Sequence, residues 1–191
     1  MHPRDAASLT IVFQHGSIRS ERASELASFS QMAQTHPTRG VSVILVLSVL
    51  SFGLLTGAML LIGISIVGFW KSLTPSDFIS WFTSHSSRLG VIMIPLGTIT
   101  LLLSLATVAV SWRWRSKQRQ WAMIAALCAL GVMLSYPVFF AGANASFIAG
   151  GLSDSAVRGL LDQWAVWHWG RVLLGLAGFL AATLALQSSG H

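Results

Sequence analysis

Charge is what this chain has least of. Only 9% of its 191 residues are Asp, Glu, Lys or Arg, against roughly a quarter in a soluble domain. The deficit is also concentrated. No charged residue lies between Arg39 and Lys71, between Arg88 and Arg113, between Arg119 and Asp154, or after Arg171. Each gap can hold the ~20 mostly apolar residues that cross a bilayer, which predicts spans over residues 41–69, 89–112, 121–140 and 164–186. Lipid cannot satisfy open backbone, so these spans must be helices. The expected fold is all-α, a four-helix transmembrane bundle over residues 41–191, preceded by a polar segment over residues 1–40.

Other absences narrow the chemistry. No acidic residue falls inside any span, which argues against a carboxylate proton relay or a di-iron site. Cys128 is the only cysteine, so an intramolecular disulfide and a cysteine metal site are excluded; it reads as a small buried apolar side chain. The first 40 residues contain no apolar core of the kind a signal peptide needs. They are polar and aperiodic, and are expected to be a disordered cytoplasmic tail. Met32 opens "MAQTHPTRG", a short polar lead with a basic residue just before the first span, and is the expected natural start.

The formal charge of +6 is a topology signal. Arg113, Arg115, Lys117 and Arg119 lie in the loop joining spans two and three, and Arg4, Arg19, Arg22 and Arg39 precede span one; only Lys71, Arg88, Arg158 and Arg171 fall on the other side. This split places both termini and that loop in the cytoplasm of a multi-pass cell-membrane protein. Nucleic acid is not an expected partner. Membrane lipid and a small apolar substrate are, and a protein partner or oligomer is left open.

Against this spare background one motif occurs twice. Trp81, His85 and Arg88 recur as Trp164, His168 and Arg171, each copy running into an apolar segment. Positions i, i+4 and i+7 share one helical face, so each triad forms a stripe. The repeat divides the chain into two halves of the same orientation, as in a parallel two-fold internal repeat. Helix-start signals precede both copies: Thr74, Pro75 and Asp77 before the first, and a break at Gly150 and Gly151 followed by Ser153 and Asp154 before the second. Trp70, Trp167 and Trp169 lie on the same side as the motifs and fit an interfacial aromatic belt. Gly53, Gly57, Gly63, Gly68, Ala177 and Ala181 offer small surfaces for close helix packing. Pro95 and Pro137 are expected to kink their helices.

The candidate site residues are His85, Arg88, Asn144, His168 and Arg171, with Trp81 and Trp164 as substrate-contacting rings. Positive-inside bias makes arginine unexpected at the outer end of two membrane helices, and a charge there is costly unless it snorkels or finds a partner. Three chemistries fit. Two imidazoles could ligate haem iron or copper. The histidines could act as general bases while the arginines hold a phenolate, enolate or carboxylate. The cluster could also bind an anionic headgroup or quinone without reaction, as in a binding or assembly subunit. Residue types alone name no cofactor.

From Pro137 through Asn144, "GLSDSAV", Trp164, His168 and Arg171, the chain resembles the anthrone-oxygenase-like family of small membrane proteins. The resemblance extends over roughly residues 41–186 and is sharpest over 136–175. It implies a four-helix membrane bundle and, for the characterised members, oxidation of a polyketide anthrone by dioxygen with no clear cofactor. It also implies that Asn144, His168 and Arg171 line the site, whereas His85 and Arg88 rest on the internal repeat alone. The resulting expectation is an oxygenase-type oxidoreductase acting on a small apolar aromatic or quinone-like substrate at the outer-leaflet end. In it His168 removes a proton, Arg171 and Arg88 stabilise the anion, and Asn144 orients the substrate.

Overall fold

The computed structural model describes residues 39–112 and 116–188. The expected tail and the Met32 start lie outside the described residues, as do Arg113 and Arg115. Helix α1 (Arg39–Leu61) passes through a π turn (Ile62–Ile66) into α2 (Val67–Ser72). Helix α3 is Pro75–Ser111; α4 (Ser116–Ser135) passes through a second π turn (Tyr136–Phe140) into α5 (Ala141–Ala149); α6 is Asp154–Gln187. These make four spans, each long and apolar enough to cross a membrane. Large apolar side chains such as Val91, Leu102, Leu127 and Leu173 point outward. A helix apolar all round is at home only in lipid or a large core, so this is an integral membrane protein.

Local chemistry sets the helix ends. Thr74 Oγ accepts from the Asp77 N–H at 3.2 Å and donates to its carboxylate at 2.6 Å, with Pro75 opening the helix. Both suit a first turn whose N–H groups lack intrahelical partners. At the other connection Gly150 and Gly151 take φ of +70° and +77°, a region open to glycine at little cost, and Ser153 caps α6 through the Ala156 N–H at 3.3 Å. The third helix outruns the expected span, because Tyr136–Phe140 absorbs Pro137 as a π turn and "AGANASFIA" continues as α5. Pro95 sits inside an unbroken α3.

The two ends of the bundle pack differently. Towards the basic loop, spans three and four meet through Ala122, Ala125, Ala129, Ala181, Ala182 and Ala185, all buried. Small side chains let the backbones approach without a hydrophobic drive. Span one reaches span four at glycines. A Cβ on Gly178 would lie 2.6 Å from Phe52 Cζ, and one on Gly175 would lie 2.7 Å from Met59 Cε. Of the glycines expected to pack, Gly53 and Gly63 do face span four, whereas Gly57 and Gly68 have nothing within 4 Å; the closest approaches belong to glycines on span four instead. Towards the capped connections the core turns aromatic. Trp70 packs edge-on against Phe78, Trp81, Phe82 and Trp164 at centroid distances of 5.2–5.7 Å. Each such pair adds about 0.5–1.5 kcal/mol beyond area burial. The candidate residues lie at this end.

Candidate functional site

In the second motif copy every ring is tied to a different helix. The Trp164 indole N–H donates to Asn144 Oδ1 at 3.1 Å, joining α6 to α5. Its ring packs against Phe140 and Trp70, and His168 stacks on it at 5.0 Å with 10° between the planes. His168 is 1% exposed, and its Nε2 lies 2.8 Å from the carbonyl oxygen of Met59 in α1. A carbonyl can only accept, so Nε2 carries the proton, and in the neutral ring Nδ1 carries the lone pair. That Nδ1 is buried and has no hydrogen-bond partner.

Two features of span one make this contact possible. A π turn begins at Ile62, where the register of the backbone ladder changes just beyond Met59. Such turns are frequent at functional sites. Gly63 provides the room: a Cβ there would lie 3.3 Å from His168 Cδ2 and 3.4 Å from the Trp169 ring. Neither Met59 nor Gly63 stood out in the sequence as a site residue. Gly63 was legible as a small packing surface, but a backbone carbonyl has no residue-type signature.

Arg171 lies one turn further along α6. Its Nε is buried without a partner, and its guanidinium carbon sits 4.8 Å over the Phe140 ring. The residue lines an open groove of about 530 Å³ between spans three and four, together with Gly131, Ser135, Trp167 and Gly170. No carboxylate shares that groove.

The first copy keeps the ring stack and little else. Trp81 and His85 stack at 4.9 Å and 16°, but His85 Nδ1 contacts the Trp81 carbonyl of its own helix at 2.9 Å. By the same logic Nδ1 carries the proton here, the opposite tautomer to His168. His85 is half-buried and Arg88 is exposed. Trp70 touches both Trp81 and Trp164, while no contact joins the two imidazoles among the described residues. The structure thus gathers Asn144, Trp164, His168 and Met59 into one linked set, sets Arg171 on the neighbouring groove, and leaves Arg88 apart. Among the described residues no group of three or more His, Cys, Asp or Glu side chains is placed to hold a metal ion.

Residues 81–181, just over half of the chain, match the family model described as anthrone oxygenase. The chain belongs to the anthrone oxygenase family. The matched segment starts at Trp81 of the first motif copy and runs beyond Arg171 of the second, so this anthrone oxygenase relative carries both stripes inside the family region, with Met59, Gly63 and Trp70 contributed from outside it. No curated protein and no solved structure matches the chain.

Proposed function

We propose that the protein is a membrane oxygenase that oxidises a small, apolar, anthrone-like or quinol-like aromatic with dioxygen, using His168 as general base. The observation that carries this reading is the held tautomer of His168. The Met59 carbonyl engages Nε2–H, the Trp164 stack fixes the ring plane, and Nδ1 is left as a bare lone pair inside the protein. Unpartnered buried acceptors are uncommon and call for an explanation; a base awaiting a substrate proton provides one.

The reaction class is balanced by two substrates alone. Nδ1 takes a proton from the activated CH2 of the aromatic, and the resulting enolate, equivalent to a phenolate, is held by a guanidinium. The carbanion carbon adds dioxygen and then a proton, giving a hydroperoxide. Loss of water leaves C=O, so one oxygen atom enters the product and the other leaves as water. Asn144 acts through Trp164 as a positioning residue. The excess of basic residues around residues 113–119 and before residue 40 supports placing that end in the cytoplasm and the site near the outer leaflet of the cell membrane. Oxygen uptake by purified protein supplied with an anthrone tests the reading: His168→Ala should abolish the enzyme-dependent rate, and an unchanged rate would remove His168 from the mechanism.

A further inference from the structure

Arg171 of the second motif copy opens onto a groove whose other walls, Trp167, Gly170 and part of span three, lie outside the motif. Its rim residues Leu134, Val138 and Val166 are 51–71% exposed within apolar spans, so it opens sideways to the acyl chains. Three details of its lining matter. Trp167 stacks on Phe139 at 5.0 Å with 3° between the planes, which fixes the indole as a flat wall. Gly170 lines the groove, and a Cβ there would meet nothing within 4 Å, so its bare backbone faces open space. Arg171 contributes a cation that lies over the Phe140 ring with no carboxylate in the groove lining, although a charge at membrane depth normally pairs with an anion or a carbonyl.

We infer that this groove is a lateral binding site for a planar aromatic oxyanion, a phenolate or enolate whose neutral form enters from the lipid, with its rings on Trp167 and Gly170 and its oxygen on Arg171. A flexible acyl chain needs neither a rigid indole wall nor a bare glycine, whereas stacked rings use both. The guanidinium fork matches a charged oxygen and, unlike an ammonium, is weakly hydrated and suited to a poorly wetted site. The inference rests on the substrate class proposed above and adds where, and in which ionisation state, that substrate is held.

The test uses probes that are already oxidised and cannot turn over. Full-length protein in phosphatidylcholine nanodiscs is titrated with 2-hydroxyanthraquinone, ionised at mildly alkaline pH, and with 2-methylanthraquinone, which has no ionisable oxygen; tryptophan fluorescence reports binding. Gly170→Leu should weaken both probes about tenfold or more by filling the groove, with thermal unfolding unchanged, and Gly170→Ala should give a smaller loss in the same direction. Arg171→Gln should weaken the hydroxy probe about tenfold and leave the methyl probe nearly unaffected. Wild-type affinity in folded Gly170→Leu would overturn the site. Equal losses of both probes in Arg171→Gln would overturn the oxyanion contact. Displacement of the hydroxy probe by phosphatidylglycerol would assign Arg171 to a lipid headgroup and overturn the proposal. Because no turnover is read, failure of this site leaves the His168 chemistry to be judged on oxygen uptake alone.

Discussion

Two stretches with the same Trp, His and Arg spacing have been put to different use by their surroundings. Both stack an imidazole on an indole about one helical turn earlier, at 4.9 Å in the first copy and 5.0 Å in the second. In the first, the histidine answers to its own helix through the Trp81 carbonyl. In the second, it answers to span one through Met59, and its tryptophan answers to α5 through Asn144. The stack is therefore a local property of the spacing, whereas the tautomer of His168 is set by a tertiary contact. Burial follows the same division, with His168 almost wholly enclosed and Arg88 exposed. The neighbouring helices decide the surroundings that each copy of the motif acquires.

The sharpest way to break this comparison is to remove each histidine in turn. His168→Ala should lower oxygen uptake by about 10²–10⁴-fold, the usual worth of a positioned general base, while His85→Ala should leave it within a few-fold. Comparable losses from both would mean that the copies share the work.

Next in size are the helix contacts that hold the second copy in place. Gly178→Ala puts a Cβ 2.6 Å from Phe52 Cζ and should cost about 1–3 kcal/mol as overpacking, read as a lower unfolding midpoint in detergent. Gly57→Ala meets nothing within 4 Å and should be neutral or slightly stabilising. A reversed order would show that spans one and four are not packed on this face.

Asn144→Ala probes the support of the stack. It strands a partly buried indole N–H and should cost about 1–3 kcal/mol, with a fall in activity that Asn144→Gln does not fully restore, since the amide would sit one methylene too far out. The smallest effect is expected at Arg88. Arg88→Gln should alter neither the unfolding midpoint nor the oxygen-uptake rate beyond error; a large loss of activity there would bring the first stripe back into the site.

The fold was largely legible because lipid imposes a severe rule. Four charge-free gaps could only be helices, and Thr74 with Asp77, or Gly150 with Gly151 and Ser153, are turn and cap chemistry that acts within a few residues. The end of the third helix was less so. "AGANAS" lies beyond the expected span end at residue 140, yet it continues as a helix whose register buries Ala143 and Phe147 and carries Asn144 to Trp164. Of the candidate site, the residue types and their stripe were visible in the repeat. The Met59 carbonyl and the two π turns were not, because backbone register is set by packing between helices distant in sequence. Trp70 fits an interfacial belt by its place in the sequence, but it is 1% exposed and wedged between both motif tryptophans, which only the assembled helices reveal.

The central claim is that His168 is held with its proton on Nε2 and a bare lone pair on Nδ1, opposite to His85. Nitrogen-15 NMR of ring-labelled protein in lipid, assigned with His85→Gln and His168→Gln, measures this directly. The account predicts a protonated-nitrogen shift at Nε2 and an unprotonated shift at Nδ1 for His168, and the reverse pattern for His85. The same tautomer at both positions, or a His168 ring averaging between the two forms, would contradict it.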